Sequence, residues 1–230
     1  MIEIAVTDRW KKTFPGAHIG TLMLGNVNNT RRPNALDDRK RELEIQLRNK
    51  YAGFSRADLL AVISMQVYRQ FYKRFNKTYH VLLQLESVLN KGKSLPSVSP
   101  LVDANFAAEL ETLILSAGHD ADRLETPITI DAATGSEEFI QMNGSRKTLK
   151  PRDMMMRDAR GVVCSVIYGQ DQRTPISVDT RRVLYVAYVP DGIDKDAVIV
   201  HLDTIKHNIL LFAPNAEIAH QQVYAAGDSA

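Results

Sequence analysis

The spacing of the hydrophobic residues changes about halfway along the chain. In the first half it is mostly helical, because apolar side chains recur at intervals of three and four residues. Helices are predicted over 35–51 and 79–89, and a further helix begins after Ser55 as its N-cap. Two short strands precede them, over 2–6 and 18–24. The predicted buried face of the helix after Ser55 consists of Ala57, Leu60, Ile63, Val67 and Phe71.

The second half consists of short apolar runs separated by Gly, Asp, Asn and Pro. After a helix over 107–115, such runs cover 128–130, 138–141, 154–156, 162–168, 176–178 and 183–189. Runs of this length between turn residues predict strands. A closing helix follows Asp194, with Val198, Leu202, Ile205 and Ile209 at helical spacing. The order predicts an α+β fold, in which N-terminal helices and a C-terminal helix flank a strand-rich core.

The same change in spacing suggests how the chain is organised. We expect residues 1–92 to form the N-terminal strands and helices, 93–224 the β-rich core with its closing helix, and 225–230 a disordered tail. At 230 residues the chain can form one sizeable core, or two small ones that share an interface. The sequence has no visible signal peptide and no apolar run near the ~20 residues of a membrane span. A cytoplasmic protein without a membrane partner is therefore expected.

Composition restricts the possible chemistry. The formal net charge is only +2, so an RNA-binding site would be a local patch. Cys164 is the single cysteine, which excludes an internal disulfide, and its apolar neighbours predict a buried strand residue. His201 and His207 are six residues apart on a predicted helix, which does not suit one metal site. Because nucleotide-binding, hydrolase-elbow and zinc motifs are all missing, we expect no cofactor and no metal.

One basic group of residues could contact RNA. Arg69, Lys73 and Lys77 are spaced by four, which predicts one helix face, and Lys91 and Lys93 follow in the next turn region. Such a stripe could bind phosphates. The aromatic residues interleaved with it, which could stack on bases, are Tyr68, Tyr72 and Tyr79. A solvated helix face opposite an apolar one explains the same spacing, so both interpretations stay open.

A second group of residues is polar and lies at turns. His119 precedes the strand-rich segment, Asp171, Arg173 and Thr174 share a turn that starts with Gly169, and Thr180 begins the last strand. A histidine, a carboxylate and hydroxyls at turn ends could orient a water molecule, or bind an amine and a ribose. Alternatively, these side chains cap their own backbone, which is common for Asp and Thr in turns.

Several segments keep the order of a known family. They are Leu101-Val102-Asp103, Ala117-Gly118-His119-Asp120, the strands around 128–139, Gln141-Met142-Asn143-Gly144, Ile167-Tyr168-Gly169-Gln170-Asp171 and the closing strand over 180–188. Over residues 91–192 this order resembles the tRNA-editing module of the bacterial phenylalanyl-tRNA synthetase β subunit, the B-three/four (B3/4) domain. It is similar above all to the free-standing proteins built around that module.

The resemblance implies an activity and a set of site residues. In the synthetase the module hydrolyses Tyr-tRNA formed in error, using bound water, substrate hydroxyls and polar side chains without a metal. Asp171 stands where the synthetase has a glutamate that reads the amino acid, and Gln170 replaces a glycine, so tyrosine specificity does not carry over. The catalytic residues so implied are His119, Asp171 and Thr180, and the substrate-binding residues are Asn105, Gly169, Arg173 and Thr174.

The leading hypothesis is a protein that binds the acceptor end of a tRNA and hydrolyses a mischarged aminoacyl ester. Its partners would be the tRNA, held by Arg69, Lys73, Lys77, Lys91 and Lys93, and the attached amino acid. His119, Asp171 and Thr180 are expected within one concave site at the edge of the strand-rich region. Two alternatives stay open. One is a non-catalytic module that binds RNA or an amino-acid-like ligand, and the other is a pocket for a different amine-containing metabolite.

Overall fold

A computed structural model describes residues 3–30 and 34–227 of the chain. The helices are α1 Asp8–Thr13, α2 Asn34–Lys50, α3 Arg56–Ala61, α4 Ile63–Lys73, α5 His80–Lys91, α6 Pro100–Thr112 and α7 Lys195–Leu210. The strands are β1 Ile4–Val6, β2 His18–Gly25, β3 Ser116–Asp120, β4 Ile128–Ala132, β5 Glu138–Ile140, β6 Arg146–Thr148, β7 Met154–Asp158, β8 Gly161–Ser165, β9 Gly169–Gln170, β10 Val183–Val189 and β11 Glu217–Ala225. The predicted α+β fold class is confirmed.

The strands form two main sheets and one hairpin. The first sheet has the order β1-β4-β7-β8-β9, and β1 pairs parallel with β4 while the other pairs are antiparallel. The second is antiparallel throughout, with the order β11-β2-β10-β3. The hairpin pairs β5 with β6. In the second sheet β3 is an edge strand, and the part of its free edge before His119 is available to line a cavity.

The second sheet carries much of the core because its inner strands are apolar on both faces. All seven residues of β10 are buried. One face packs on α7, where a Cβ atom at Gly20 would lie 2.6 Å from Val198 Cγ1, so the helix approaches closely because position 20 is glycine. On the same side the Tyr185 hydroxyl donates a hydrogen bond to the Leu101 carbonyl of α6, at 2.8 Å. These contacts fix α6 and α7 against the sheet.

A buried ion pair joins α6 to the N-terminal helices. Lys40 of α2 lies 3.0 Å from the Asp103 carboxylate of α6 and donates a second hydrogen bond to the Pro96 carbonyl. Asp103 also accepts the Val98 backbone N–H at 2.7 Å. Because both charges are buried and each is satisfied by the other, the pair fixes the position of α6 relative to α2.

The helix predicted after Ser55 is two helices, and its predicted buried face is correct only in part, since Phe71 is buried while Ala57 and Ile63 are exposed. Ser55 caps α3 as expected, but the chain turns at Val62, whose ψ of 130° is extended, and α4 starts afresh. This turn resets the register of the buried face. Ile63 is 68% exposed, and the side chains that reach the core are Leu59, Met65, Tyr68, Phe71 and Tyr72.

Other elements follow the sequence pattern with shifted ends. The predicted helices over 35–51 and 79–89 and the closing helix are confirmed as α2, α5 and α7. The run over 162–168 is a strand only as far as Ser165, and 176–178 forms no strand. The predicted helix over 107–115 is α6, which already begins at Pro100 and ends at Thr112. Elements that were not predicted are α1, β6, β9 and β11, and β3, which includes His119. Of the predicted tail, 228–230 lies outside the described residues, while Ala225 ends β11.

Candidate functional site

A cavity of about 490 Å³ lies beside the edge strand β3, enclosed by α5, α6 and the region around β8 and β9. This volume is within the range of small-molecule sites. Most of its wall is apolar and includes Val98, Val102, Phe106, Leu115 and Ile176. The side chains with polar groups that line it are His80, Gln84, Asn105, Glu109, Ser116, Cys164, Ser165, Gln170 and Tyr188. An apolar wall with a few polar groups is typical of a site that binds a small organic molecule.

The polar residues at α6 and β3 are brought together by a tight turn. Asn105 and Glu109 are four residues apart on α6 and so share one helix face. Leu113 has a left-handed φ of 60° and ends the helix, which returns the chain as β3 beside the same face. The Ser116 N–H donates to Glu109 Oε1 at 2.8 Å, and the Ser116 hydroxyl donates to Asn105 Oδ1 at 2.8 Å.

His201 of α7 supports this group from behind. Its Nε2 lies 2.9 Å from the Ser116 hydroxyl and its Nδ1 lies 2.7 Å from the Thr112 hydroxyl. Burial lowers the pKa of the His201 imidazole to about 3, so the ring is neutral at physiological pH. His201 is fully buried and hydrogen-bonded through both ring nitrogens, so its role is structural.

Burial shifts the titration of the groups that line the cavity. It raises the pKa of the Glu109 carboxyl to about 8, and the hydrogen bonds from Ser116 and Asn105 offset this only in part. Burial also lowers the pKa of His80 and raises that of the Cys164 thiol to about 12. Cys164 is thus the buried strand residue that its neighbours predicted, and its thiol is protonated at neutral pH.

Four of the predicted site residues form one buried network behind the cavity wall. His119 Nδ1 lies 2.9 Å from the Thr174 hydroxyl, which donates to Asp171 Oδ1 at 2.6 Å. The guanidinium of Arg173 lies 2.9 Å from Asp171 Oδ2 and 3.0 Å from Asp158 Oδ1. Since the single Thr174 proton goes to Asp171, His119 Nδ1 carries the proton that it donates to Thr174.

The network does not line the cavity. His119 is fully buried, and burial lowers the pKa of its imidazole to about 3, so the ring exchanges no proton near neutral pH. Asp171 is occupied by Thr174 and Arg173 of its own turn. Thr180 lies in a neighbouring pair, where its hydroxyl donates to Asp120 Oδ2 at 2.8 Å. Of the predicted site residues, Asn105 and Gly169 are on the cavity wall.

The predicted basic residues are all exposed but do not form one helix face. Arg69 and Lys73 lie on α4, which ends at Lys73, so Lys77 lies beyond the helix. The Lys77 ammonium is 5.9 Å from the ring centre of Tyr168, which is next to Gly169 of the cavity wall. Lys91 ends α5 and Lys93 follows it, both exposed.

The tyrosines interleaved with the basic residues are not available for stacking on bases. Tyr68, Tyr72 and Tyr79 are buried. Tyr68 and Tyr79 stack on each other with ring centres 4.3 Å apart, and the Tyr68 hydroxyl donates to the Tyr188 carbonyl. The reason is that the turn at Val62 directs this side of α4 into the core. The stacking interpretation is therefore wrong, while the exposed charges remain able to meet phosphates.

The buried acidic residue of the cavity, Glu109, was missed from the sequence. Glu109 lies in the largely apolar segment of α6, and a carboxyl on the buried side of such a helix is a signal of a ligand or of a specific partner. His80 and Gln84 share one face of α5 in the same way. Their approach to α6 depends on long-range packing, so no local pattern would have grouped them.

Two negative findings apply to residues 3–30 and 34–227. Within these residues no group of three or more His, Cys, Asp or Glu side chains could hold a metal ion. In the same part of the chain, every helix is too short or too polar to cross a membrane.

Comparison with known proteins places the cavity within a known domain family. A family model, the B3/4 domain, matches residues 64–208, which include every wall residue of the cavity. Curated proteins give no match. Among solved structures, an N-terminal fragment of the phenylalanyl-tRNA synthetase β subunit from Pyrococcus horikoshii is similar in fold, with a TM-score of 0.50 and 13% identity over 96% of this chain. The chain spans 50% of that fragment. Because the family model covers more than half of the chain, the protein belongs to the B3/4 domain family.

Proposed function

We propose that the protein binds the acceptor end of a tRNA and hydrolyses the ester of a wrongly attached amino acid in the cavity beside β3. The observation that carries this proposal is the cavity itself. It lies inside the B3/4 domain, its volume of about 490 Å³ suits an aminoacyl group with the terminal ribose, and its polar residues gather on α6 and β3. The synthetase fragment with a similar fold supports a link to tRNA.

In this proposal the side chains on the wall contact the substrate. Asn105 and the Ser116 hydroxyl are hydrogen-bonded to each other and line the cavity, so they are suited to hold the ester and its attacking water. Gly169 has a left-handed φ of 83° and no side chain to obstruct the wall at the turn before Gln170. Hydrolysis would draw on substrate hydroxyls and bound water, as the resemblance implies.

The buried network has a positioning role in this proposal. His119, Asp171, Arg173 and Thr174 hold a turn whose next residues reach the cavity. Gly118 precedes His119, Gln170 precedes Asp171 and Pro175 follows Thr174, and all three line the cavity. The Gln170 amide also donates to the Gly118 carbonyl, which ties β9 to β3. The network therefore affects the substrate only by positioning these wall residues.

The exposed basic residues supply the proposed contact with the tRNA. Arg69, Lys73, Lys91 and Lys93 are exposed on or beside α4 and α5, and Lys77 lies beside Tyr168 close to the cavity. Phosphates of the acceptor stem meeting these charges would direct the terminal nucleotide to the cavity.

The test is a deacylation assay with a panel of mischarged tRNAs. Asn105→Ala removes a wall group and is expected to slow hydrolysis of the preferred substrate by about tenfold, the scale of a lost hydrogen bond. Asn49→Ala, on the exposed end of α2, serves as the control and should leave the rate unchanged. Equal rates in both variants would contradict the assignment of the cavity as the site of hydrolysis.

The alternative function is binding without turnover. The observation that favours it is that the three residues implied as catalytic, His119, Asp171 and Thr180, are buried in hydrogen bonds with other protein groups. Wild-type protein that binds tRNA or a free amino acid, yet deacylates none of the panel, would establish this alternative.

A further inference from the structure

The charge of the cavity wall is unbalanced. Among the described residues that line the cavity, Glu109 is the one acidic side chain, and none is a lysine or an arginine. Its carboxyl is only 2% exposed and accepts the Ser116 N–H. A buried carboxylate without a cationic partner is costly, and a ligand cation would reduce that cost.

A second wall residue has a free acceptor. Gln84 Oε1 of α5 is buried and has no hydrogen-bond partner among the described residues. It lines the same cavity as Glu109, on the facing helix. An ammonium group has three N–H donors and no acceptor, so it can satisfy a carboxylate and an amide oxygen together. The rest of the wall, including Val102, Phe106 and Ile176, offers an apolar surface to the remainder of the ligand.

We infer that Glu109 is the counter-ion for the α-ammonium group of the ligand, and that the cavity selects an amino acid with an apolar side chain. This inference rests on the proposed function in taking the same cavity as the ligand site, but it does not depend on hydrolysis. It also transfers the recognition of the amino acid, which the resemblance implied for Asp171, to a residue of α6.

None of the described groups around Glu109 carries a positive charge near physiological pH, so none competes with a ligand ammonium group for its carboxylate. Tyr68, Tyr72 and Tyr79 have pKa values raised by burial, and burial also raises that of Tyr188 on β10. The remaining neighbours from other elements are His80 on α5 and His201 on α7, whose pKa values burial lowers, and Cys164 on β8, whose pKa burial raises to about 12. Behind Ser165, the Asp153 carboxyl has a pKa raised by burial to about 7.

The pKa of about 8 for the Glu109 carboxyl gives the inference a pH dependence. In the free protein this carboxyl is increasingly protonated as the pH falls below 8, and the protonated form does not pair with an ammonium group. An α-amino group loses its own proton above about pH 8. Binding of an α-amine should therefore be strongest near pH 8, and should weaken on the acid side because Glu109 is neutralised.

Leucinamide and 4-methylpentanamide provide the test, because they differ only in the α-amine and neither can be hydrolysed as an ester. By calorimetry at pH 8, wild type is expected to bind leucinamide at least about tenfold more tightly, the scale of a charged hydrogen bond. Glu109→Gln should bind both amides equally. Glu111→Gln, which changes a carboxyl of α6 paired with Arg39 outside the cavity, should keep the wild-type preference.

The pH dependence of wild type gives a second test that needs no variant. The affinity for leucinamide should fall by more than tenfold from pH 8 to pH 6, while that for 4-methylpentanamide should not change. Equal affinity of wild type for the two amides, binding of neither, or a preference that survives in Glu109→Gln would overturn the inference. Deacylation without an amine preference would overturn the inference and leave the proposed function. An amine preference without deacylation would support the inference and contradict the proposed function.

Discussion

At the scale of single residues, a side chain near β3 or β9 contributes to the site only if it lies on the cavity side of the backbone. Residues next to each other in sequence have different environments, because Gly118 and Gln170 line the cavity while His119 and Asp171 are buried behind it. The resemblance pointed to turns that border the cavity. It could not establish which side chains reach the ligand, since that depends on the pairing of Thr174 with His119 and Asp171.

The behaviour of Asp171→Asn separates a positioning role from contact with the ligand. The substitution removes the charge that pairs with Arg173 and weakens the bonds to Thr174, so we expect it to lower the free energy of unfolding by about 1–3 kcal/mol. Urea denaturation measures this, with the exposed Asp179→Asn as the control. Unchanged stability combined with tenfold slower deacylation would instead return Asp171 to the role of reading the amine.

At the scale of elements, spacing predicted the helices better than it predicted their faces. The extended residue Val62 divides what the periodicity indicates as one helix, and no local feature of the sequence marks this turn. β11 was not predicted because the polar run over 220–222 interrupts its apolar positions, and it is ordered by pairing with the apolar β2. In both cases contacts made by distant segments outweigh the local pattern.

The exposed charges on and after α4 should determine the salt dependence of RNA binding. Changing Arg69, Lys73 and Lys77 to Gln should weaken tRNA binding and reduce the log–log salt slope by about two to three, since each lost phosphate contact contributes ~0.7–0.9. Fluorescence titration over a range of salt concentrations measures the slope. Gln substitutions of the exposed Arg41 and Lys50 on α2 are the control. An unchanged slope in the triple variant would mean that these residues form only a solvated surface.

At the scale of the whole molecule, the fold class was predictable and the cavity was not. Apolar spacing and the order of family-like segments indicated an α+β chain, and the B3/4 domain match agrees with this. The cavity is formed by residues from His80 to Tyr188, contributed by helices and strands that are far apart in sequence. Glu109 lies one helix turn after the predicted Asn105. It is recognisable as a site residue only when α5, α6 and β3 are seen together.

A crystal structure with 3′-leucylamino-3′-deoxyadenosine, a stable amide analogue of the end of a charged tRNA, tests most directly whether the cavity beside β3 binds the aminoacyl group. We expect the leucyl group in the cavity beside β3, its amine within about 3.2 Å of the Glu109 carboxylate and its side chain among the apolar wall residues. The adenosine should lie toward Lys77 and Tyr168 at the turn before β9. A leucyl group bound elsewhere on the molecule, or a cavity that stays empty at saturating analogue, would contradict the account.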